Sequence, residues 1–133
     1  MKVLIVEDEK TIRKALGYML RKDGYEITEA PNPVDALNII QQQLFDFIIM
    51  DLNMPIISGL EFISMLREQN KDIPTIILTS EEISNEQFRQ LNLQQLKILS
   101  KDLPLPEIVD AIKNFQNLTH LPNSFTKVRG GNL

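Results

Sequence analysis

The strongest constraint on what this chain can fold into is a fivefold alternation of short apolar runs with helix-like stretches. The runs are "KVLIV" (Lys2–Val6), "YEITEA" (25–30), "DFIIM" (46–50), "TIILTS" (75–80) and "LKIL" (96–99). Strands separated this way are joined by crossovers and not by hairpins, which makes a parallel sheet with helices on its faces. The intervening segments fit. Ile12, Ala15, Leu16, Met19 and Leu20 repeat at the spacing of one helical face, and Gly24 is placed to end that helix. Asn32 and Pro33 mark a second helix start, with Leu37 and Ile40 turned inward. Ser58 is positioned to cap a third helix whose Gly59, Phe62, Ile63 and Leu66 share a face, and Leu105, Ile108, Val109, Ile112 and Phe115 form the stripe of the last. A fourth helix is expected within "SNEQFRQLNL" (84–93), where Phe88, Leu91 and Leu93 stand among polar residues, so it should be short.

Strand order follows from the same runs. Strands one, three and four are nearly continuous apolar segments, as strands covered on both faces must be, whereas the second alternates and the fifth is short and carries Lys97. Those two belong at the edges. With right-handed crossovers the order becomes 2-1-3-4-5, a flavodoxin-like three-layer α/β sandwich of five parallel strands and five helices. The chain reverses its direction of winding between strands one and three, and ligands of such sheets bind at the carboxyl ends of the strands near that point.

Composition removes several classes of function. Fourteen Lys and Arg against 18 Asp and Glu leave a net charge of -4, which argues against general attraction to nucleic acid. No cysteine is present and His120 is the single histidine, so thiolate and multi-histidine metal sites are excluded. The apolar stretch in "MKVLIVED" is too short for a signal peptide or a membrane span, and a cytoplasmic location is expected.

What remains is a set of polar residues at the carboxyl ends of the strands: Glu7 and Asp8 after the first, Asp51 after the third, Thr79 after the fourth and Lys101 after the fifth. Separately, each has an ordinary explanation as a loop acid, a β-favouring threonine or a surface lysine. Together they make a chemical unit. Three carboxylates at one crevice repel one another unless a cation sits among them, and hard oxygen ligands without His or Cys suit a divalent ion such as magnesium. With a fixed ammonium and a hydroxyl beside it, such a place binds a phosphoryl group.

These residues, in this order, resemble the receiver domain of two-component response regulators over about residues 2–117. The pattern is an acid pair, a phosphoacceptor Asp followed by a loop with Pro55 and Gly59, then Thr79 and Lys101. The resemblance implies that Asp51 accepts a phosphoryl group from a sensor histidine kinase or a histidine phosphotransfer protein. It implies magnesium or manganese held by Asp8, Asp51 and the backbone carbonyl of Asn53, with Glu7 acting through a water. Lys101 would pair with phosphoryl oxygens, Asn53 and Glu81 would tune the lifetime of the product, and Thr79 would move to bond the phosphoryl group. A downstream protein would then bind the face formed by the fourth helix, the fifth strand and the last helix.

Four departures fall on that last face. The position that usually holds a switching aromatic is Ile98, which has neither ring nor hydroxyl. Asp102 stands where Pro usually follows the Lys, and a trans bond is expected there because a non-proline cis bond costs about 3–4 kcal/mol. Gln94 and Gln95 replace a common small pair, and Leu96 and Lys97 replace acids that support one type of receiver dimer. The tail, 118–133, is expected to be flexible outside the receiver domain, 1–117, with Phe125, Lys127 and Arg129 as its alternative docking residues. Two other functions compete with the phosphoacceptor. One is a receiver-fold binding module working without phosphorylation. The other is a haloacid-dehalogenase-like phosphatase, which needs a proton-donating acid where Asn53 stands. Whether the chain relays phosphate or ends a pathway is left open by its residues.

Overall fold

The computed structural model describes residues 1–54, 56–69, 73–80 and 96–119, the side chains of 116–119 excepted. Five strands alternate with helices: β1 (Lys2–Val6), α1 (Lys10–Lys22), β2 (Glu26–Ala30), α2 (Pro33–Gln42), β3 (Phe47–Asp51), α3 (Gly59–Glu68), β4 (Thr75–Thr79), β5 (Leu96–Ser100) and α4 (Leu105–Thr119). The helix expected within 84–93 lies outside the described residues.

All neighbouring strands are parallel and the order is β2-β1-β3-β4-β5. Every residue of β3 and β4 is buried, while β2 and β5 keep partly exposed positions, as edge strands should. Alternation of side chains along the strands divides the interior in two. Leu4, Val6, Ile48, Met50 and Ile77 point to α2 and α3, where Ala36, Ile40, Phe62, Ile63 and Leu66 meet them. Val3, Ile5, Ile49, Ile76 and Leu78 point the other way, against Leu16 and Leu20 of α1 and Ile108, Val109, Ile112 and Phe115 of α4. Phe47 anchors this second layer, with Tyr25 and Phe115 edge-on to it at 6.3 and 6.1 Å.

Local signals set the helix ends. The Asn32 side chain accepts from the Asp35 N–H at 2.8 Å with Pro33 in the first turn, and Ser58 and Glu61 form a reciprocal capping box. Beyond α1, Gly24 adopts φ +95°, a conformation that favours glycine, and its N–H donates to the Arg21 carbonyl. Gly59 serves a different need. A Cβ there would stand 3.0 Å from both the Asp51 carbonyl oxygen and Leu52 Cα, so the bare backbone lets α3 start directly against the end of β3. The Gly59 N–H closes the turn on the Leu52 carbonyl at 2.8 Å.

Candidate functional site

The carboxyl ends of β1, β3, β4 and β5 meet at one edge of the sheet, with Asp51 as the last residue of β3 and Thr79 as the last of β4. Strand pairing puts Asp51 opposite Leu78, one residue before Thr79. The backbone N–H of Lys101 donates to the Thr79 carbonyl at 3.0 Å and ties the loop after β5 to the end of β4. The strand interiors are apolar and packed, and at this rim Glu7, Asp51 and Thr79 are buried while Asp8 is exposed.

Lys101 is the hub. Its Nζ lies 3.1 Å from Asp51 Oδ2, 3.2 Å from Glu7 Oε2 and 3.1 Å from Glu9 Oε1. Burial alone would lower the ammonium's pKa, but hydrogen bonds to Glu9, Asp51 and Glu7 outweigh it and hold the group well above the usual lysine value. The second oxygen of Asp51, Oδ1, accepts from the Asn53 N–H at 3.1 Å, so the carboxylate is gripped from two sides. Glu7 Oε2 also accepts from the Glu9 N–H at 3.1 Å. Desolvation chiefly, with the nearby Asp51 charge, raises the Glu7 pKa against the lowering pull of that N–H and of Lys101.

The donors fit a hard cation. Glu7, Asp8 and Asp51 each offer a carboxylate oxygen, all within 4.8 Å of one another, and Glu7 Oε1 is buried with no hydrogen-bond partner among the described residues. A buried, unsatisfied carboxylate oxygen is costly in isolation and is stabilised when a metal or its bound water reaches it.

All of the strand-end residues singled out by the sequence, Glu7, Asp8, Asp51, Thr79 and Lys101, are therefore gathered at one rim. Ile98 is partly buried and packs against the layer containing Leu4 and Ile77. The Lys101–Asp102 peptide is trans, and the Asp102 N–H donates to Ser100 Oγ at 3.0 Å. Glu81 and Pro55 lie outside the described residues, as do Gln94, Gln95 and His120. Two participants escaped the sequence reading. Glu9 reaches Lys101, and Arg13 donates from Nη1 to the Glu7 carbonyl at 2.8 Å and from Nε to Glu29 Oε1 at 3.2 Å. The acidic run "EDE" (7–9) was the available sign for Glu9; nothing in sequence spacing links Arg13 to both Glu7 and Glu29.

A flavodoxin-like sheet with an acidic crevice and a partly buried lysine at its switch point is an α/β protein built to bind a ligand at that rim, as the receiver resemblance implies. The model of the response regulator receiver domain matches residues 3–113, and the chain belongs to that family. It is 33% identical over 121 residues to the sensor protein EvgS of Escherichia coli O157:H7, covering 91% of this chain and 10% of that protein. It is 30% identical over 109 residues to the response regulator MprA of Mycobacterium avium (strain 104), covering 82% of this chain and 48% of that protein. The chain thus spans about a tenth of the first relative's length and about half of the second's. Among solved structures, the chemotaxis response regulator CheY4 of Vibrio cholerae matches with a TM-score of 0.77 and 29% identity, over 86% of this chain and 97% of that one. The response regulator TrrA of Thermotoga maritima, solved in complex with Mg(2+)-BeF, matches with a TM-score of 0.72 and 31% identity over the same shares, 86% and 97%. Among the described residues no helix is long and apolar enough to cross a membrane.

Proposed function

We propose that this chain is a phosphoacceptor receiver in which Asp51 takes a phosphoryl group from the phosphohistidine of a sensor histidine kinase or a histidine phosphotransfer protein. The observation that carries this reading is the grip on Asp51: a buried carboxylate at the sheet's switch point, held by Lys101 on one oxygen and the Asn53 N–H on the other. An Asp51 oxygen attacks phosphorus, the phosphorus–nitrogen bond to the imidazole breaks with its electron pair going to nitrogen, and a phosphorus–oxygen bond forms. Lys101 neutralises charge on the transferring oxygens. Water attack on the acyl phosphate returns the carboxylate and releases inorganic phosphate, so the chain catalyses only its own modification and its reversal. Asn53 and Glu81 tune how easily that water arrives.

Asp8 and Asp51 would hold magnesium or manganese together with the Asn53 carbonyl, and Glu7 through a water; the orphaned Glu7 oxygen and the Mg(2+)-BeF complex of TrrA support that set. When bound, the ion supplies positive charge to the phosphoryl oxygens. Output follows from Thr79, whose loop shifts as its hydroxyl bonds the phosphoryl group and biases the face of β5 and α4 toward a downstream protein. Ile98, packed against the layer of Leu4 and Ile77, has no ring to swing. Residues 1–117 make up this receiver, with its last helix running two residues past the expected boundary to Thr119.

Incubation with magnesium and acetyl phosphate, read by intact mass, tests the reading. Transfer breaks the phosphorus–oxygen bond of the donor, releases acetate and adds one phosphoryl group to the parent, while Asp51→Asn gains none. No gain in the parent, or an equal gain in the variant, overturns it.

A further inference from the structure

The loop between β1 and α1 contains an acid with no role in the chemistry so far. Glu9 is the N-cap of α1, a position where Ser, Thr, Asp or Asn normally accepts from the first-turn N–H groups, yet its side chain makes no capping hydrogen bond. It reaches instead to Lys101, 92 residues away in sequence, at 3.1 Å.

That contact completes the lysine. An ammonium has three N–H donors and no acceptor, and here the three are matched by Asp51, Glu7 and Glu9. Any further anion that pairs with Lys101 must displace one of them. Asp51 is the residue to be phosphorylated, and its side chain is 7% exposed. Glu7 is 2% exposed and its Oε2 is also held by a backbone N–H, so releasing it would strand a buried charge. Glu9 is 60% exposed, and water takes over its carboxylate when it leaves. The weakest of the three attachments is thus the one facing solvent.

We propose that Glu9 is the exchangeable self-ligand of Lys101: its carboxylate caps the ammonium in the resting protein and competes with the phosphoryl oxygens for it. This rests on Asp51 as phosphoacceptor. Glu9 brakes phosphorylation, because the contact must break and its charge opposes an anionic donor on approach. It also re-forms the resting arrangement once the phosphoryl group has gone. The backbone N–H of Glu9, which orders Glu7, is independent of the side chain and survives its replacement.

Glu9→Gln keeps the shape and removes the charge, and Glu9→Ala removes the contact outright. Both should be phosphorylated by acetyl phosphate about two- to fivefold faster than the parent at low salt, the range an exposed ion pair supports. The gain should shrink in about 1 M salt, which screens charge but leaves a purely structural effect unchanged. A second measurement needs neither metal nor phosphorylation. Inorganic phosphate is titrated into metal-free protein while the Lys101 Cε signal is followed by NMR, and the variants should reach half-saturation at about two- to fivefold lower phosphate. Equal rates in parent and variants, or equal responses to phosphate including none in either, overturn the proposal. A parent that takes no phosphoryl group while its variants still bind phosphate more tightly would reject Asp51 as acceptor and support Glu9 as the competitor for Lys101.

Discussion

Two charge clusters stand on opposite sides of the β1–α1 loop with inverted composition. At the sheet rim one cation, Lys101, faces the three carboxylates Glu7, Glu9 and Asp51 at 3.1 to 3.2 Å. On β2 one carboxylate, Glu29, faces three cations, Arg13 at 3.2 Å, Lys14 at 3.2 Å and Arg21 at 3.3 Å. Each carries a surplus of two charges, but they dispose of it differently. Lys14 and Arg21 are 58% and 50% exposed, so the excess positive charge near Glu29 is spread into water and the cluster fastens edge strand β2 to α1. The surplus at Lys101 falls on Glu7 and Asp51, which are buried, where water cannot dilute it. The lesson is that an unbalanced charge indicates chemistry when it is shielded from solvent and packing when it is not. Arg13 belongs to both clusters through Glu29 and the Glu7 carbonyl, so the cluster at Glu29 steadies the one at Lys101.

Removing Lys101 is the most severe way to break this contrast. Lys101→Ala leaves Glu7 and Asp51 facing each other without a cation and should cost the metal-free protein about 3 kcal/mol of stability, read from urea unfolding. Added magnesium should recover part of that loss. Equal stability of parent and variant would show that the rim carboxylates do not depend on the lysine.

Magnesium itself separates the two clusters. On the proposed reading, in which it binds only the folded crevice, about a hundredfold excess over its dissociation constant should stabilise the parent by about 2.7 kcal/mol. Glu7→Gln should reduce that gain and Glu29→Gln should leave it unchanged; a gain lost equally in both would merge the clusters into one electrostatic unit.

A smaller effect is expected at Glu29. Burial opposes its ionisation, but Lys14, Arg21 and Arg13 more than compensate and hold its carboxyl below the ordinary value of 4.5. Below that value the unfolded chain therefore takes up a proton that the folded chain still resists. The stabilisation is present above the ordinary value and is lost as pH falls through the lower folded one. Glu29→Gln should cost about 1 kcal/mol near pH 7, discounted because two partners are exposed, and parent and variant should converge in acid. Urea midpoints at a series of pH values check this, and a gap that persists in acid would assign the loss to packing.

The mildest change concerns backbone instead of charge. Ile56, in the loop after Asp51, has φ +74° and is 85% exposed, an unfavourable conformation for a β-branched side chain with little burial in return. Ile56→Gly should raise stability by about 0.5–1 kcal/mol, the relief being partly offset by glycine's freedom in the unfolded chain. A lower thermal midpoint would mean that the Ile56 side chain contributes contacts despite its exposure.

Much of this molecule was legible in its residues because the signals are local. The continuous apolar runs of β1, β3 and β4, the 3.6-residue stripes of α1 and α4, the caps at Asn32 and Ser58 and the turn at Gly24 depend on neighbours within a few positions. The edge positions of β2 and β5 followed from the alternation of the one and from the shortness and Lys97 of the other. The presence of Asp51, Thr79 and Lys101 at strand ends followed too, because strand order brings those ends to one rim. The sequence could not rank the three acids of "EDE". Glu7 and Asp8 read as a pair, but folding buries the first and exposes the second, while Glu9 turns back to Lys101. Those choices rest on contacts between residues 92 and 94 positions apart, where the ends of β1 and β5 approach β3 from either side. Short-range periodicity determines which residues are strand, helix and core; only the assembled sheet decides which carboxylate meets the one ammonium, because that depends on distances between strand ends that no local pattern encodes.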